Sequence, residues 1–140
     1  MTDSDRPVLL LTCSGISHTG KLTTLAGHSL HCRYPLLVAR HLKLAALRRP
    51  LEEELGEDEC LIAVDGCEEC CVKKRIDLIG RVPDMHLIAT HEGITKRGLE
   101  EPRHVEIEGL SQVIMRSIRN ERRMNKERDI WLSQNKTVIR

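Results

Sequence analysis

The stretch Cys60-Leu61-Ile62-Ala63-Val64-Asp65-Gly66-Cys67-Glu68-Glu69-Cys70-Cys71 decides the fold. Leu61 to Val64 is a short unbroken apolar run, and Asp65-Gly66 stops it. Such a run, bounded by turn residues, reads as a strand buried on both faces. Val72 to Gly80 follows as a helix, with Ile76 and Ile79 inward and Gly80 as its stop. Two other segments have the same form. Pro7 to Gly15 (PVLLLTCSG) reads as a strand and a loop, and Met85 to Gly93 (MHLIATHEG) as a strand with a turn at His91, Glu92 and Gly93.

Helical patterns separate these runs. Leu22, Leu25, Ala26 and Leu30 lie on one side of a helix through Leu22–His31. Pro35 opens the next helix, whose apolar content is Leu37, Leu44 and Leu47, and Pro50 ends it. The acidic segment Glu52, Glu53, Glu54, Glu57, Asp58 and Glu59 reads as a solvated turn or short helix. Val105–Gly109 (VEIEG) reads as a fourth short strand. Ser111 to about Arg128 reads as a long helix with a sparse apolar face of Val113, Ile114, Ile118 and Met124. Apolar strands alternating with helices belong in a parallel sheet covered on both faces. The expected fold is α/β: a compact three-layer, Rossmann-like sandwich around a mostly parallel sheet of three to four strands.

The chain has 140 residues, room for one domain with a real core. We expect a lead over residues 1–6, an α/β core over 7–110, a basic helix over 111–130 and a tail over 131–140. Lys plus Arg (22) nearly cancel Asp plus Glu (21), which argues against a nucleic-acid-coating protein. Tyr34 and Trp131 are the only aromatic residues, which argues against base-stacking surfaces as well. No apolar run is long enough for a membrane span, and the N-terminus lacks a secretory pattern. A cytoplasmic location is expected, and there six cysteines point to metal or thiol chemistry rather than to disulfides.

In a parallel sheet, sites form beyond the carboxyl ends of the strands. Those ends carry Thr12-Cys13-Ser14, Asp65-Gly66-Cys67 and Thr90-His91-Glu92. Cys67 and Cys70 form a CxxC, a spacing that suits two thiolates on one metal or reversible thiol–disulfide exchange. Cys13, Cys67 and Cys70 or Cys71 supply thiolates, and His91, Cys32 or Asp65 could complete a tetrahedral zinc site. The same thiolates could hold an Fe–S cluster. Asp65, Gly66 and Glu92 are expected around the ligands. Cys60 reads as a buried apolar residue of its strand.

The loop Gly15 to Lys21 matches GxxxxGK after a strand, but Leu22 stands where a nucleotide-binding loop needs Ser or Thr. Ser14, Gly15, Ser17, Gly20 and Lys21 are therefore read as an anion-orienting loop. His18, His28, His31, His41, His86 and His104 are too scattered to assign. The helix after Ser111 holds Arg116, Arg119, Arg122, Arg123, Lys126 and Arg128 against Glu121 and Glu127, a face for an acidic protein or metalloenzyme partner.

Cys13-Ser14-Gly15-Ile16-Ser17 with Gly20, followed by Val64-Asp65-Gly66-Cys67-Glu68-Glu69-Cys70, resembles the DGC-domain family of small prokaryotic proteins. The resemblance runs through His91-Glu92-Gly93-Ile94-Thr95-Lys96. It implies zinc binding, with Asp65, Gly66 and Cys67 as the naming motif and Cys13 and Cys70 as further ligands. The leading expectation is a small metal-binding protein, with zinc the first choice. A thiol oxidoreductase or a sulfur or metal carrier using Cys67 and Cys70, and an Fe–S or non-catalytic accessory protein, are the alternatives.

Overall fold

A computed structural model describes residues 6–135. The element order is β1 (Val8–Thr12), α1 (His18–Arg33), β2 (Val38–Lys43), α2 (Leu51–Glu54), β3 (Cys60–Asp65), α3 (Cys71–Leu78), β4 (Met85–Ile88) and α4 (His104–Gln134), with 3-10 turns at Leu44–Ala46 and Ala89–Glu92. The strands form one sheet in the order β2-β1-β3-β4, and every pairing is parallel. The α/β sandwich is thus Rossmann-like, with four strands and helices on both faces.

Side-chain alternation along the central strands divides the core. Val8, Leu10, Ile62 and Val64 pack against Leu22, Ala26 and Leu30 of α1 and Leu110, Ile114 and Ile118 of α4. Leu9, Leu11, Leu61 and Ala63 pack against Leu51 and Leu55 at α2 and Val72 and Ile76 of α3. Leu9, Leu10 and Leu11 are essentially inaccessible, which is why the β1 run shows no polar alternation.

Two elements differ from their sequence reading. The segment opened by Pro35 is not a helix: Val38–Lys43 is edge strand β2. Leu37, Leu44 and Leu47 mimic a helical stripe, but Arg40 and Leu42 lie opposite Leu9 and Leu11 of β1. The charged residue is tolerated because Arg40 donates to Glu59 at 2.7 Å and to Glu54 at 3.1 Å. The acidic segment therefore splits: Glu54 and Glu59 hold Arg40, while Glu52, Glu53, Glu57 and Asp58 are exposed.

VEIEG is not a strand either. It forms the first turns of α4, which begins at His104. Glu106 accepts from the Arg103 backbone N–H at 2.9 Å and closes the helix start. Ile107, Leu110 and Ile114 then reach the core on one helical stripe. The basic helix is longer than expected, and Trp131 to Gln134 belong to it rather than to a tail. The first helix starts earlier than Leu22, at His18, where Ser17 Oγ accepts from the Gly20 N–H at 3.2 Å. Residues 1–5 of the lead and 136–140 of the tail lie outside the described residues. No helix among the described residues is long and apolar enough to cross a membrane.

His41 Nε2 meets Thr12 Oγ1 at 2.9 Å across the β1–β2 pair. Burial lowers His41 to about 4 from its ordinary 6.5, helped by His28, His31 and Lys43. The unfolded chain gains this proton near 6.5 and the folded chain only near 4. The resulting stability is complete above pH 6.5 and is lost as pH falls towards 4. Urea unfolding midpoints are expected to fall through that window, and His41→Gln should flatten the fall.

Candidate metal centre

Parallel pairing brings the ends of β1, β3 and β4 to one edge. Cys13 N–H donates to the Val64 carbonyl at 3.0 Å, continuing the β1–β3 ladder past the strand end. The Cys13 carbonyl accepts from Thr23 Oγ1 at 2.6 Å and Thr24 Oγ1 at 3.1 Å, which fixes α1 against this corner. Beyond β3, Gly66 approaches α1 closely. A Cβ on it would lie 2.8 Å from Thr19 Cβ and 2.9 Å from the Thr19 carbonyl carbon. Only glycine lets the chain turn there without displacing helix backbone.

Asp65, at the end of β3, is 1% exposed. Its carboxylate accepts from Val72 N–H at 2.8 Å and Lys73 N–H at 3.2 Å, so it caps α3 from outside that helix. The cap is needed because Cys70, which precedes α3, supplies no side-chain bond and adopts the left-handed conformation, φ 51° and ψ 49°. Cys70 is the one non-glycine residue with positive φ among the described residues. Asp65 Oδ2 also meets His86 Nε2 at 2.8 Å. His86 lies opposite Ala63 in the β3–β4 register and Ile88 lies opposite Asp65, so His86 and Asp65 share a sheet face.

Ligand atoms of Asp65, Cys70 and His86 all lie within 4.8 Å of one another. They are the one such group of three among the described residues, and more thiols surround them. Burial pushes Cys13 up to about 11, and the fields of Cys71, Asp65 and Cys67 act in the same direction, while a hydrogen bond from the Gly66 N–H opposes them. Cys70 is also raised, first by burial and then by Asp65, with Cys67 and Cys71 adding to it and Lys74 opposing. Cys13, Cys67, Cys70, Cys71 and Asp65 therefore share one electrostatic neighbourhood. The Cys67–Cys70 turn is pinned outside by Glu68, which accepts from Thr90 Oγ1 at 2.8 Å and pairs with Lys96 at 3.4 Å.

Other candidates lie elsewhere. The 16-residue helix α1 carries Cys32 away from the strand ends, where its Sγ lies 3.6 Å from His28 Nε2. Cys60 opens β3 at the opposite edge and packs into the α1–α4 core. His91 and Glu92 are exposed on the turn after β4, and their side chains make no hydrogen bond or ion pair among the described residues. The sequence reading passed over His86. Its signal was its place two residues before the end of a strand beside the one ending in Asp65, which becomes visible only once strand order is known.

In the anion-orienting loop, Ser17 caps α1 and Ser14 Oγ accepts from Ala45 N–H at 2.7 Å. Lys21 Nζ donates to Glu101 at 2.6 Å and to the Leu99 carbonyl at 3.3 Å. Gly20 lies within α1, and Gly15 is exposed before it. The helix begins at His18, inside the GxxxxGK match, which leaves only a short turn between β1 and α1.

The family model of the DGC domain matches residues 9–114. The chain belongs to the DGC-domain family. The match spans β1 through the first turns of α4 and includes every thiol around Asp65. No curated protein and no solved structure matches the chain. In this DGC domain, the family membership and the Asp65–Cys70–His86 group together support metal binding.

The turn at Gly66 offers a direct check. Gly66→Ala is expected to destabilise the protein by about 1–3 kcal/mol, because Thr19 backbone must move. Chemical denaturation of the variant measures this.

Proposed function

We propose that this DGC domain is a small cytoplasmic metal-binding protein whose metal is zinc. The observation that carries the reading is the convergence of Asp65, Cys70 and His86 within 4.8 Å, at an edge that also carries Cys13, Cys67 and Cys71. Thiolate sulfur and imidazole nitrogen form a donor set suited to tetrahedral zinc. Cys70 and His86 would ligate, and Cys13, Cys67 or Cys71 would complete the shell.

Asp65 suits a supporting part better than a ligating one. Its two oxygens already serve Val72, Lys73 and His86. A carboxylate on one imidazole nitrogen fixes the ring and leaves the other nitrogen for the metal. With Nε2 on Asp65, Nδ1 of His86 would be the nitrogen offered to zinc. Bound zinc would supply Lewis acidity and hold its thiolates deprotonated at neutral pH.

The thiol-exchange alternative fits less well. A reactive cysteine has a lowered pKa, and burial raises Cys13 and Cys70, which counts against these two as the attacking thiol. All six cysteines are free thiols, in keeping with a reducing cytoplasm. A metalloenzyme or another acidic protein would dock on the outer half of α4.

Anaerobically purified protein is expected to hold one zinc per chain, colourless and free of acid-labile sulfide. His86→Ala should weaken zinc by more than the roughly 10–100-fold that losing an outer-shell partner costs. Cys70→Gly should abolish stoichiometric zinc yet stabilise the metal-free chain by about 1 kcal/mol, because glycine takes positive φ without strain. Cys32→Ser and Cys60→Ser should leave zinc content unchanged. Colour with acid-labile sulfide would replace zinc by an Fe–S cluster.

A further inference from the structure

A second feature lies apart from the strand ends. A cleft of about 380 Å³ opens between the C-terminal end of α1 and the middle of α4. Ser111, Gln112, Arg116 and Arg119 line it from successive turns of one face of α4, and Arg33 and Tyr34 close it from α1. Since α1 starts beside the metal-centre edge and rises about 1.5 Å per residue, its last turn lies more than 20 Å away.

The cleft is cationic, and its charge is incompletely matched. Arg33 meets Glu108 through Nη1, at 2.9 and 3.2 Å, and its guanidinium lies 5.5 Å from the Tyr34 ring centre. Arg116 and Arg119 have no ion pair among the described residues, and both are exposed. Ser111 is 0% exposed, and its hydroxyl has no hydrogen-bond partner among the described residues.

We infer that this cleft binds a small phosphorylated molecule. Arg33, Arg116 and Arg119 line one space, and a phosphate dianion, whose three oxygens each accept charge-assisted bonds, is the anion best able to use more than one of them. A lone carboxylate would occupy one guanidinium and leave the others unmatched. The volume is at the small end of ligand sites, enough for a phosphomonoester with a modest organic part. The Tyr34 ring and Met115 give that part an apolar wall. A nucleic-acid strand is a poorer match, because strand binding uses several stacking platforms and Tyr34 is the only tyrosine in the chain.

That single tyrosine supplies the test. With tyrosine selectively labelled, its ring gives the one labelled signal set of the full chain. Inorganic phosphate and adenosine monophosphate, titrated at constant ionic strength, should each shift these signals saturably, and unphosphorylated adenosine should not. Arg119→Gln should weaken both phosphates at least tenfold. Arg123→Gln, on the same helix but outside the cleft, should stay within twofold of the parent. No Tyr34 shift up to ten millimolar of either phosphate would overturn the inference. So would equal losses in Arg119→Gln and Arg123→Gln, which would indicate diffuse charge on α4. A short single-stranded RNA without a terminal phosphate that binds more tightly than adenosine monophosphate would replace the small ligand by nucleic acid.

Discussion

Three donors converge on the carboxylate of Asp65: the backbone N–H groups of Val72 and Lys73 and the ring of His86. A carboxylate this deeply buried would be very costly without such partners. With them, it joins the end of β3, the start of α3 and the middle of β4. The α3 terminus has no other side-chain cap, since Cys70 contributes none. The path of the Cys67–Cys70 turn, and with it the placing of the thiols, follows from this one charge.

A second carboxylate closes the opposite wall. Glu106 accepts from the Arg103 N–H, meets His18 Nε2 at 3.1 Å and pairs with Arg97 at 3.2 Å. These bonds outweigh the cost of burial and hold Glu106 at about 2. His18 is wholly buried and its N–H donates to the Gly98 carbonyl at 2.9 Å, so the 94–103 segment is tied to the start of α1. Thr19, the next residue, is the one that Gly66 approaches. The α4 start, the α1 start and the β3 end thus position one another, and the strand-end thiols lie against this frame.

The central sheet was legible because β1 and β3 are buried on both faces, and a short continuous apolar run between turn residues suits few places but the middle of a sheet. Edge strand β2 was not, because its charged residue Arg40 finds its partners, Glu54 and Glu59, in a segment that reads as solvent-facing. VEIEG alternates like a strand, and what makes it helical is a local hydrogen bond from its own helix start to Glu106 together with the packing of Ile107 and Leu110 on the sheet. At the site, Cys13, Asp65 and the Cys67–Cys71 cluster were legible from strand-end chemistry. His86 was hidden because its meeting with Asp65 depends on the pairing of two strands about twenty residues apart. Cys32 misled for the converse reason: sequence shows a thiol but not the length of helix that removes it.

The unusual backbone at Cys70 and the direction of the thiol shifts lead to the same conclusion. A glycine would occupy that left-handed position freely, whereas a residue with a Cβ costs about 1–2 kcal/mol there. The chain accepts that strain at a position where a sulfur faces Asp65 and His86. Burial and neighbouring negative groups raise Cys13 and Cys70, which makes both poor nucleophiles at neutral pH. Burial is the larger cause of these shifts, and the negative charge of Asp65 adds a potential that favours a cation, which can take the place of the thiol protons. An edge built this way suits a metal ion.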